Sequence, residues 1–320
     1  MDKTLRIGTI GTSSIMNIIQ EGIAQTDGFE TVMVYSRNIN HAKEYAASVN
    51  VPEYCDDYLS MLNREDIDII YVASPNKLHF QQALMALEHG KHVIVEKPTT
   101  VTEQETRTLY ETAKRHGVFF FEAITTLYMP NYMRFKQLLP TIGTLTHVEI
   151  NFGQYSSKYD SYLRGENPNI FNPELQGGAL NDMGIYCIHV AVDLFGEPLA
   201  VQYSAELGEN GVDLAGKLLL TYPDFVCEIN TSKKDVTRSG CFFTGTKGSL
   251  IEDGALIDFP NCSITLDQTE EFNFQFPGNR MIHEFANFRD AILYNDHRFF
   301  EKMAHQSILA SSILEKAHNS

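Results

Sequence analysis

The chain has 320 residues, of which 43% are hydrophobic and 21% are charged, and its formal net charge is -16. This length is sufficient for two domains, each with a core of its own. The acidic balance argues against a nucleic-acid partner, because binding to phosphates is driven by lysine and arginine.

The five cysteines are odd in number, and no two of them form a Cys-x-x-Cys motif. Such cysteines are typical of reduced thiols in a cytoplasmic protein and predict neither a disulfide framework nor a zinc site. The beginning of the chain, MDKTLRIGTIGTSSI, has no long apolar stretch, so no signal peptide is expected. No apolar run approaches the ~18 residues that a membrane span requires. We therefore expect a cytoplasmic protein with no membrane partner.

Up to about residue 122, short apolar runs alternate with amphipathic stretches. The runs that predict strands are LRIGTI, TVMVY, DIIYVA, HVIV and VFFFE. Helical patterns lie between them near 14–25, 40–49, 77–89 and 103–116. This alternation predicts right-handed βαβ units and a parallel sheet. Ligands of such sheets bind at the carboxyl ends of the strands.

The first predicted strand ends in a glycine turn, GTIGTSSIM. A dinucleotide fingerprint needs G-x-G-x-x-G/A, and here Gly11 can make the turn while Ser13 and Met16 replace the second and third glycines. Donors on Ser13 and Ser14 could still bind phosphate at a helix N-terminus. The alternative is an ordinary turn with serine capping. The candidate cofactor contacts in this turn are Gly11, Thr12, Ser13, Ser14 and Ile15.

The second predicted strand ends in VYSRN, where an NAD site would carry Asp or Glu for the ribose 2′-hydroxyl. No carboxylate stands at residues 34–37. Ser36, Arg37 and Asn38 could instead surround a 2′-phosphate, so the pattern favours NADP over NAD. The alternative is a polar turn that leads into helix 40–49.

Two further stretches end predicted strands with polar groups, VASPNKLHF at 72–80 and VIVEKP at 93–98. Their candidate cofactor contacts are Ser74, Pro75, Asn76, His79, Glu96 and Lys97. The alternative for Glu96 and Lys97 is a surface ion pair of little energetic value. Farther along, GGALNDMGIYC at 177–187 places Asp182 and Tyr186 four residues apart, on one face of a helix that begins near Asn181.

These motifs in this order, with GTKGSL at 245–250, resemble the glucose–fructose oxidoreductase / inositol dehydrogenase / MocA (Gfo/Idh/MocA) family. Tyrosine at position 186, where the family often has histidine, resembles the dimeric dihydrodiol dehydrogenase and glucose–fructose oxidoreductase branches. The resemblance implies a doubly wound Rossmann domain, 1–122, followed by an α/β domain, 123–320, built on a large, open, mainly antiparallel sheet. It also implies a homodimer or larger homo-oligomer formed through that sheet.

The resemblance further implies three catalytic residues, Lys97, Asp182 and Tyr186. Tyr186 would donate or accept the proton, and the Lys97 cation would polarise the substrate oxygen and favour the phenolate. Asp182 would orient the substrate hydroxyl or Lys97. Lys97 could also carry the proton itself. The plain alternatives are a first-turn helix carboxylate for Asp182 and a core aromatic for Tyr186.

From about residue 123 the sequence changes to alternating strands, and helical patterns at 281–294 and 300–317 close the chain and are expected to pack back on both domains. The stretch 155–176 reads as a long unstructured loop, either a lid over the substrate or an oligomer contact. His283 and Glu284 begin a zinc-type HExxH pattern, but Asn287 occupies the second histidine position, so no metal is predicted.

Taken together, the sequence predicts an NADP-dependent oxidoreductase with a small-molecule substrate, a sugar, polyol or cyclic diol, or the matching carbonyl. Two alternatives stay open. One is an NAD-linked inositol- or sugar-type dehydrogenase, and the other is a non-catalytic sensor that binds a nicotinamide cofactor on the same scaffold. The eroded glycine turn favours the sensor, and the retained Lys97, Asp182 and Tyr186 favour the enzyme.

Overall fold

A computed structural model of the protein describes residues 3–320. The chain divides into two compact units. The first contains the chain up to Thr100, Gln104–Ala123 and Gly278–Ile308. The second contains Val101–Glu103, Ile124–Pro277 and Leu309–Ser320.

A six-stranded parallel sheet forms the centre of the first unit. Its strands are β1 (Leu5–Ile10), β2 (Phe29–Tyr35), β3 (Glu53–Cys55), β4 (Ile69–Val72), β5 (His92–Glu96) and β6 (Phe120–Ala123). They lie in the order β3-β2-β1-β4-β5-β6, which is the strand order of dinucleotide-binding Rossmann domains. β4 is buried along its whole length, as expected for a parallel strand covered on both faces. The predicted parallel sheet is confirmed.

Helices cover both faces of this sheet. They are α1 (Ile15–Ala24), α2 (Ile39–Ser48), α3 (Tyr58–Leu62), α4 (Asn76–Glu88), α5 (Glu103–His116) and α9 (Met281–Leu293). α9 packs closely on α1, since a Cβ on Gly22 would lie 2.8 Å from the Cβ of Met281. Asn279, just before α9, donates to the carbonyl of Ile18 at 2.7 Å. The segment Gly278–Ile308 therefore returns to complete the first unit.

The predicted strands and helices of this region agree with the structure to within about two residues at most ends. Two short elements have no sequence prediction, β3 and α3. The three residues of β3 lie at the edge of the sheet, and the five residues of α3 follow a cap by Asp57. Segments of this length are too short to show hydrophobic periodicity.

The second unit is built on an eight-stranded sheet in the order β14-β13-β12-β11-β7-β10-β9-β8. The strands are β7 (Leu145–Gly153), β8 (Ala200–Leu207), β9 (Asp213–Thr221), β10 (Val226–Ser232), β11 (Gly240–Gly245), β12 (Gly248–Asp253), β13 (Cys262–Thr265) and β14 (Thr269–Phe272). Only the pair β7 and β10 is parallel, and the other pairs are antiparallel. The mainly antiparallel sheet predicted from the sequence is confirmed.

One face of this sheet is covered by helices and carries the core of the second unit. The helices are α6 (Pro130–Leu138), α7 (Tyr159–Leu163), α8 (Ile185–Phe195) and the last part of α10 (His297–His318). Ile150 and Ile229 from the sheet pack with Ile188 of α8 and Ile313 of α10. The opposite face carries charged and polar side chains, among them Lys217 paired with Glu228 at 2.7 Å. This alternation follows from a sheet with a single buried face.

Over residues 3–320, no helix has both the length and the apolar character needed to cross a membrane. The same part of the chain holds no group of three or more His, Cys, Asp or Glu side chains placed to bind a metal ion. All five cysteines are free thiols.

Candidate active site

In the first unit, the predicted cofactor residues follow the carboxyl ends of four neighbouring strands, β1, β2, β4 and β5. Ile10, the last residue of β1, pairs with Tyr35 of β2 and Val72 of β4, and Val72 pairs with Val95 of β5. Because the strands are parallel, the loops after β1, β2, β4 and β5 all lie at the end of the sheet that holds the carboxyl ends of the strands. β1 and β4 are adjacent at the point where the strand order reverses, which is where open α/β sheets bind ligands.

The glycine turn after β1 depends on Gly11. Its φ is +118°, and a Cβ there would lie 2.5 Å from the carbonyl oxygen of Ala73 in the next loop. Ser14 precedes α1, but its side chain makes no capping hydrogen bond, so the serine-capping alternative does not describe this helix start. The N-terminus of α1, the positive end of the helix dipole, therefore lies at the carboxyl ends of the strands, where ligands of such sheets bind.

The turn after β2 divides its polar residues between two roles. The Asn38 side chain accepts from the backbone N–H groups of Asn40 and His41 at 2.9 and 3.3 Å, so it caps α2 as the polar-turn alternative requires. Ser36 is half-buried and Arg37 is exposed. Ser36 and Arg37 remain the candidates for a phosphate contact at this strand end, and that contact stays a prediction.

Glu96 at the end of β5 is held by Tyr71. The Tyr71 hydroxyl donates to Oε1 of Glu96 at 2.6 Å, and the Tyr71 ring is fully buried. Burial raises the pKa of Glu96, while the bond from Tyr71 and the charge of Lys97 oppose that rise. The half-buried Glu96 is therefore bonded to a buried tyrosine and is not simply one half of an exposed ion pair. The following Lys97–Pro98 peptide bond is cis.

His79 in α4 connects two of the loops. Its ring is buried, with Nδ1 2.9 Å from the carbonyl oxygen of Pro98 and Nε2 2.8 Å from that of Ser74. Burial lowers the pKa of His79, and the two carbonyl groups oppose this shift. A neutral imidazole has one N–H, so it can donate to one of these carbonyls at a time. His79 thus fixes the loop of Lys97 against that of Ser74, and a direct contact with a cofactor stays a prediction.

The remaining predicted contacts of this loop lie where α4 begins. Pro75 precedes α4 and Asn76 is its first residue, and both are half-buried. Thr12 and Ile15 are likewise half-buried in the turn after β1, and Ser13 is exposed.

In the second unit, Asp182 and Tyr186 lie on a helix that does not start as an α-helix. Leu180–Gly184 is a turn of π-helix that continues into α8. The predicted helix start is confirmed, but the wider π turn changes the simple four-residue stacking expected of the pair. The Tyr186 ring is half-buried and packs edge-on against Phe152 of β7, with ring centroids 5.6 Å apart. Its proton-transfer role stays a prediction.

Asp182 has a partner that no sequence pattern indicated. Nζ of Lys233, the residue after β10, lies 2.6 Å from Oδ2 of Asp182. The Lys233 side chain is 1% exposed, whereas that of Asp182 is 34% exposed. The two residues, 51 positions apart in the sequence, meet because the π turn that carries Asp182 packs against β10.

A second residue that the sequence did not indicate, Asp213, fixes the start of this helix. Its Oδ2 accepts from the backbone N–H of Leu180 and from the hydroxyl of Tyr203, both at 2.7 Å. Burial raises the pKa of Asp213, and these two donors oppose the shift. A Cβ on Gly178 would lie 1.9 Å from Oδ1 of Asp213. At Gly178, the space that a side chain would take is therefore filled by the protein's own carboxylate.

The stretch 155–176 is more ordered than the unstructured loop predicted from the sequence. It contains α7 and two short 3-10 turns, Asn169–Phe171 and Pro173–Leu175. The rings of Tyr159 and Tyr162 pack on the buried ring of Phe171 at centroid distances of 5.7 and 5.2 Å. Arg164 pairs with Glu166 at 2.6 Å on the surface.

Comparison with known proteins agrees with this architecture. Residues 5–124 match the family described as "Oxidoreductase family, NAD-binding Rossmann fold", and residues 133–251 match the "GFO/IDH/MocA C-terminal domain". The chain is 36% identical to scyllo-inositol 2-dehydrogenase (NADP(+)) IolU of Bacillus subtilis (strain 168), over 78% of this chain and 76% of that protein. It is 27% identical to trans-1,2-dihydrobenzene-1,2-diol dehydrogenase of Mus musculus, over 90% and 88% of the two chains.

Among solved structures, KijD10, a 3-ketoreductase from Actinomadura kijaniata in complex with NADP and TDP-benzene, superposes with a TM-score of 0.88. The match covers 99% of this chain and 98% of that one at 22% identity, and it shows a shared fold. The chain therefore belongs to the Gfo/Idh/MocA family of NAD(P)-dependent oxidoreductases.

Proposed function

We propose that this protein is an NADP-dependent oxidoreductase that transfers a hydride between the nicotinamide and a carbon of a sugar, polyol or cyclic diol, or of the matching carbonyl. The observation that carries the choice of cofactor is the end of β2, where Ser36 and Arg37 stand and no carboxylate does. A 2′-phosphate is accommodated by arginine at this place, whereas a free 2′-hydroxyl is bound by Asp or Glu. The relative from Bacillus subtilis is named as NADP-dependent, which supports the same choice.

The residues of the first unit fit a dinucleotide. The N–H groups of the turn Gly11–Ile15 would bind the pyrophosphate, and Arg37 with Ser36 would bind the 2′-phosphate. Glu96, held by Tyr71, would accept a hydrogen bond from the nicotinamide ribose or amide. The loop after β4, with Ser74, Pro75 and Asn76, would lie at the same end of the sheet. Bound NADP supplies the hydride chemistry, and these residues supply its position.

We propose that Lys97 and Tyr186 move the proton that accompanies the hydride. A tyrosine with a pKa of about 10 is a poor base at neutral pH, and a neighbouring ammonium group favours its phenolate. Lys97 would polarise the substrate oxygen, and Asp182 would orient the substrate hydroxyl. A positioned acid–base pair of this kind contributes roughly 10²–10⁴ in rate.

We further propose that two or more copies associate through the exposed face of the eight-stranded sheet. This face carries complementary charges, such as Lys217 and Glu228, on a broad surface of regular strands. The molar mass measured by light scattering tests the proposal, and a strictly monomeric protein would refute it. A location in the cytoplasm stays a prediction.

The function is tested by screening inositols, other polyols, sugars and trans-cyclic diols with NADP⁺ and with NAD⁺, and the corresponding ketones with the reduced cofactors. We expect turnover with at least one of these compounds and a clear preference for NADP. Clearly better use of NAD would overturn the role of Arg37. Binding of a cofactor without turnover would instead favour the non-catalytic sensor. The sequence feature that supports the sensor is the replacement of two glycines by Ser13 and Met16.

Arg37→Ala is the matched test of cofactor choice. Loss of a charge-assisted hydrogen bond should raise KM for NADP roughly 10- to 100-fold and leave KM for NAD almost unchanged. The control is Lys43→Ala, which removes a positive charge from an exposed position on α2. An equal change for both cofactors in Arg37→Ala would contradict the assignment.

A further inference from the structure

Lys233 is a buried ammonium whose backbone is fixed on both sides. Its N–H donates to the carbonyl of Leu214 in β9, and its own carbonyl accepts from the N–H of Ser156, at 2.8 and 2.9 Å. Its side chain is 1% exposed. The neighbouring Lys234 instead forms an ion pair at the surface with exposed Glu206. Two adjacent lysines therefore occupy opposite environments.

The partners of the Lys233 ammonium come from two different segments. Nζ lies 2.6 Å from Oδ2 of Asp182 and 3.1 Å from the carbonyl oxygen of Ile170. It also lies 4.8 Å from the ring centroid of Phe171, within cation–π range. A buried charge needs such compensation, and a well-packed apolar residue often serves stability equally well. Stability alone therefore does not explain a lysine at this position.

The same contacts join the segment 159–175 to the helix that carries Asp182. The carbonyl of Ile170 accepts from both Lys233 and the N–H of Gly178, the latter at 3.0 Å. A Cβ on Gly177 would lie 2.7 Å from the carbonyl carbon of Ile170, so the two backbones are in close contact. The aromatic cluster of Tyr159, Tyr162 and Phe171 rests on this junction. The junction leaves about a third of the Asp182 side chain accessible.

We propose that Lys233 is a positioning residue for the reaction: it holds the Asp182 carboxylate ionised and in a single orientation, and it anchors the segment 159–175 beside that carboxylate. The inference rests on the proposed function, because it assigns Asp182 to the substrate hydroxyl. Lys233 itself is too deeply buried to touch the substrate. It acts through Asp182.

The principal test compares Lys233→Met with Lys234→Met. Removing the ammonium takes away a cation, 2.6 Å from Oδ2, that favours the ionised form of Asp182. We expect Lys233→Met to lower kcat about 10- to 100-fold, to leave KM for NADP within about twofold, and to move the acid limb of the pH profile of kcat to higher pH. Lys234→Met should leave all three unchanged. Lys233→Arg keeps the charge and should restore the pH profile.

A double-mutant cycle asks whether the effect passes through Asp182. In an Asp182→Asn background, Lys233→Met should reduce kcat by no more than about twofold, because the group that it positions is already lost. A full, multiplicative loss in that background would overturn the inference. So would wild-type kcat and an unchanged pH profile in folded Lys233→Met.

Hydrogen exchange provides a readout that does not depend on activity. Amides of residues 159–175 should exchange at least about tenfold faster in Lys233→Met than in Lys234→Met, while those of the first unit are unchanged. If Lys233→Met does not fold, the same comparison is made with Lys233→Gln, which also removes the ammonium charge but keeps a polar end. Unchanged exchange in the folded variant would overturn the anchoring. If the wild-type protein turns over no substrate, the proposed function fails and exchange alone decides the inference.

Discussion

The two units hold their candidate residues in different ways. In the first, each polar group directly follows a strand of the parallel sheet, and the sheet itself aligns the loops of Gly11, Arg37 and Lys97. In the second, Asp182 is held by Lys233, which lies 51 residues farther along, and the helix start is held by Asp213, 33 residues beyond Leu180.

This difference has a physical consequence. A strand end is fixed by many backbone hydrogen bonds, so a single side chain there can change without moving its neighbours. A helix start that depends on an ion pair with the buried Lys233 and on the buried carboxylate of Asp213 has few substitutes, since removing one partner takes away part of what compensates the other's burial. We therefore expect substitutions in the first unit to change activity and substitutions in the second to change activity and folding together.

The largest effect is expected for Lys97→Met. Loss of the ammonium should reduce kcat about 10⁴-fold, the upper range for a positioned proton-transfer group, while NADP affinity stays within a few-fold. The unfolding midpoint should not change, because Lys97 follows a strand that the sheet already fixes. Stopped-flow turnover and NADPH fluorescence titration measure the two quantities. The control is Lys302→Met, which removes a lysine at an exposed position of α10. A wild-type turnover rate in Lys97→Met would refute the catalytic role of Lys97.

Tyr186→Phe then separates the two possible proton carriers. If Tyr186 carries the proton, the variant should lose nearly as much of kcat as Lys97→Met. If Lys97 carries it, Tyr186→Phe should keep at least about a tenth of the wild-type rate. The ring packing on Phe152 is unchanged by this substitution, so the comparison isolates the hydroxyl.

A substitution at Gly178 should break the second unit. Gly178→Ala places a methyl group 1.9 Å from Oδ1 of Asp213 at a residue whose φ is +124°. Backbone strain and the displaced carboxylate together should lower the free energy of unfolding by about 5 kcal/mol, measured by chemical denaturation. Gly211→Ala is the control: its φ is +83° and no atom lies within 4 Å of the added Cβ, so only about 1–2 kcal/mol of strain is expected. Equal losses in the two variants would contradict the role of Asp213.

The comparison also shows what the sequence could predict. The order of motifs from Gly11 to Lys97 follows the strand ends, and strands and helices of ordinary length have visible periodicity, so the architecture of the first unit was predicted from local patterns. Lys233 follows β10 and Asp213 begins β9, and neither stretch of sequence gives any sign of its partner, because those contacts arise only when the helix start packs on the sheet. The π turn at Leu180–Gly184 is set by the contacts of Asp213 and Gly178, and no local preference encodes it.

The smallest expected effect is a pH-dependent change in stability, and it comes from a buried carboxyl group that has no such partners. Both side-chain oxygens of Glu252 in β12 are buried, and within residues 3–320 neither has a hydrogen-bond partner. Burial, with the charge of Asp253, raises the pKa of Glu252 from 4.5 to about 8. Between these pH values the unfolded chain ionises this group while the folded chain keeps its proton, so the free energy of unfolding falls as pH rises and levels off above pH 8.

Glu252→Gln should remove this fall and stabilise the protein by roughly 3–5 kcal/mol at alkaline pH, with no gain in acid. Denaturation curves across this pH range measure the free energy of unfolding of both proteins. The control is Glu271→Gln on the exposed strand β14. If the difference in free energy between Glu252→Gln and wild type were the same at every pH, Glu252 would be ionised in the folded protein.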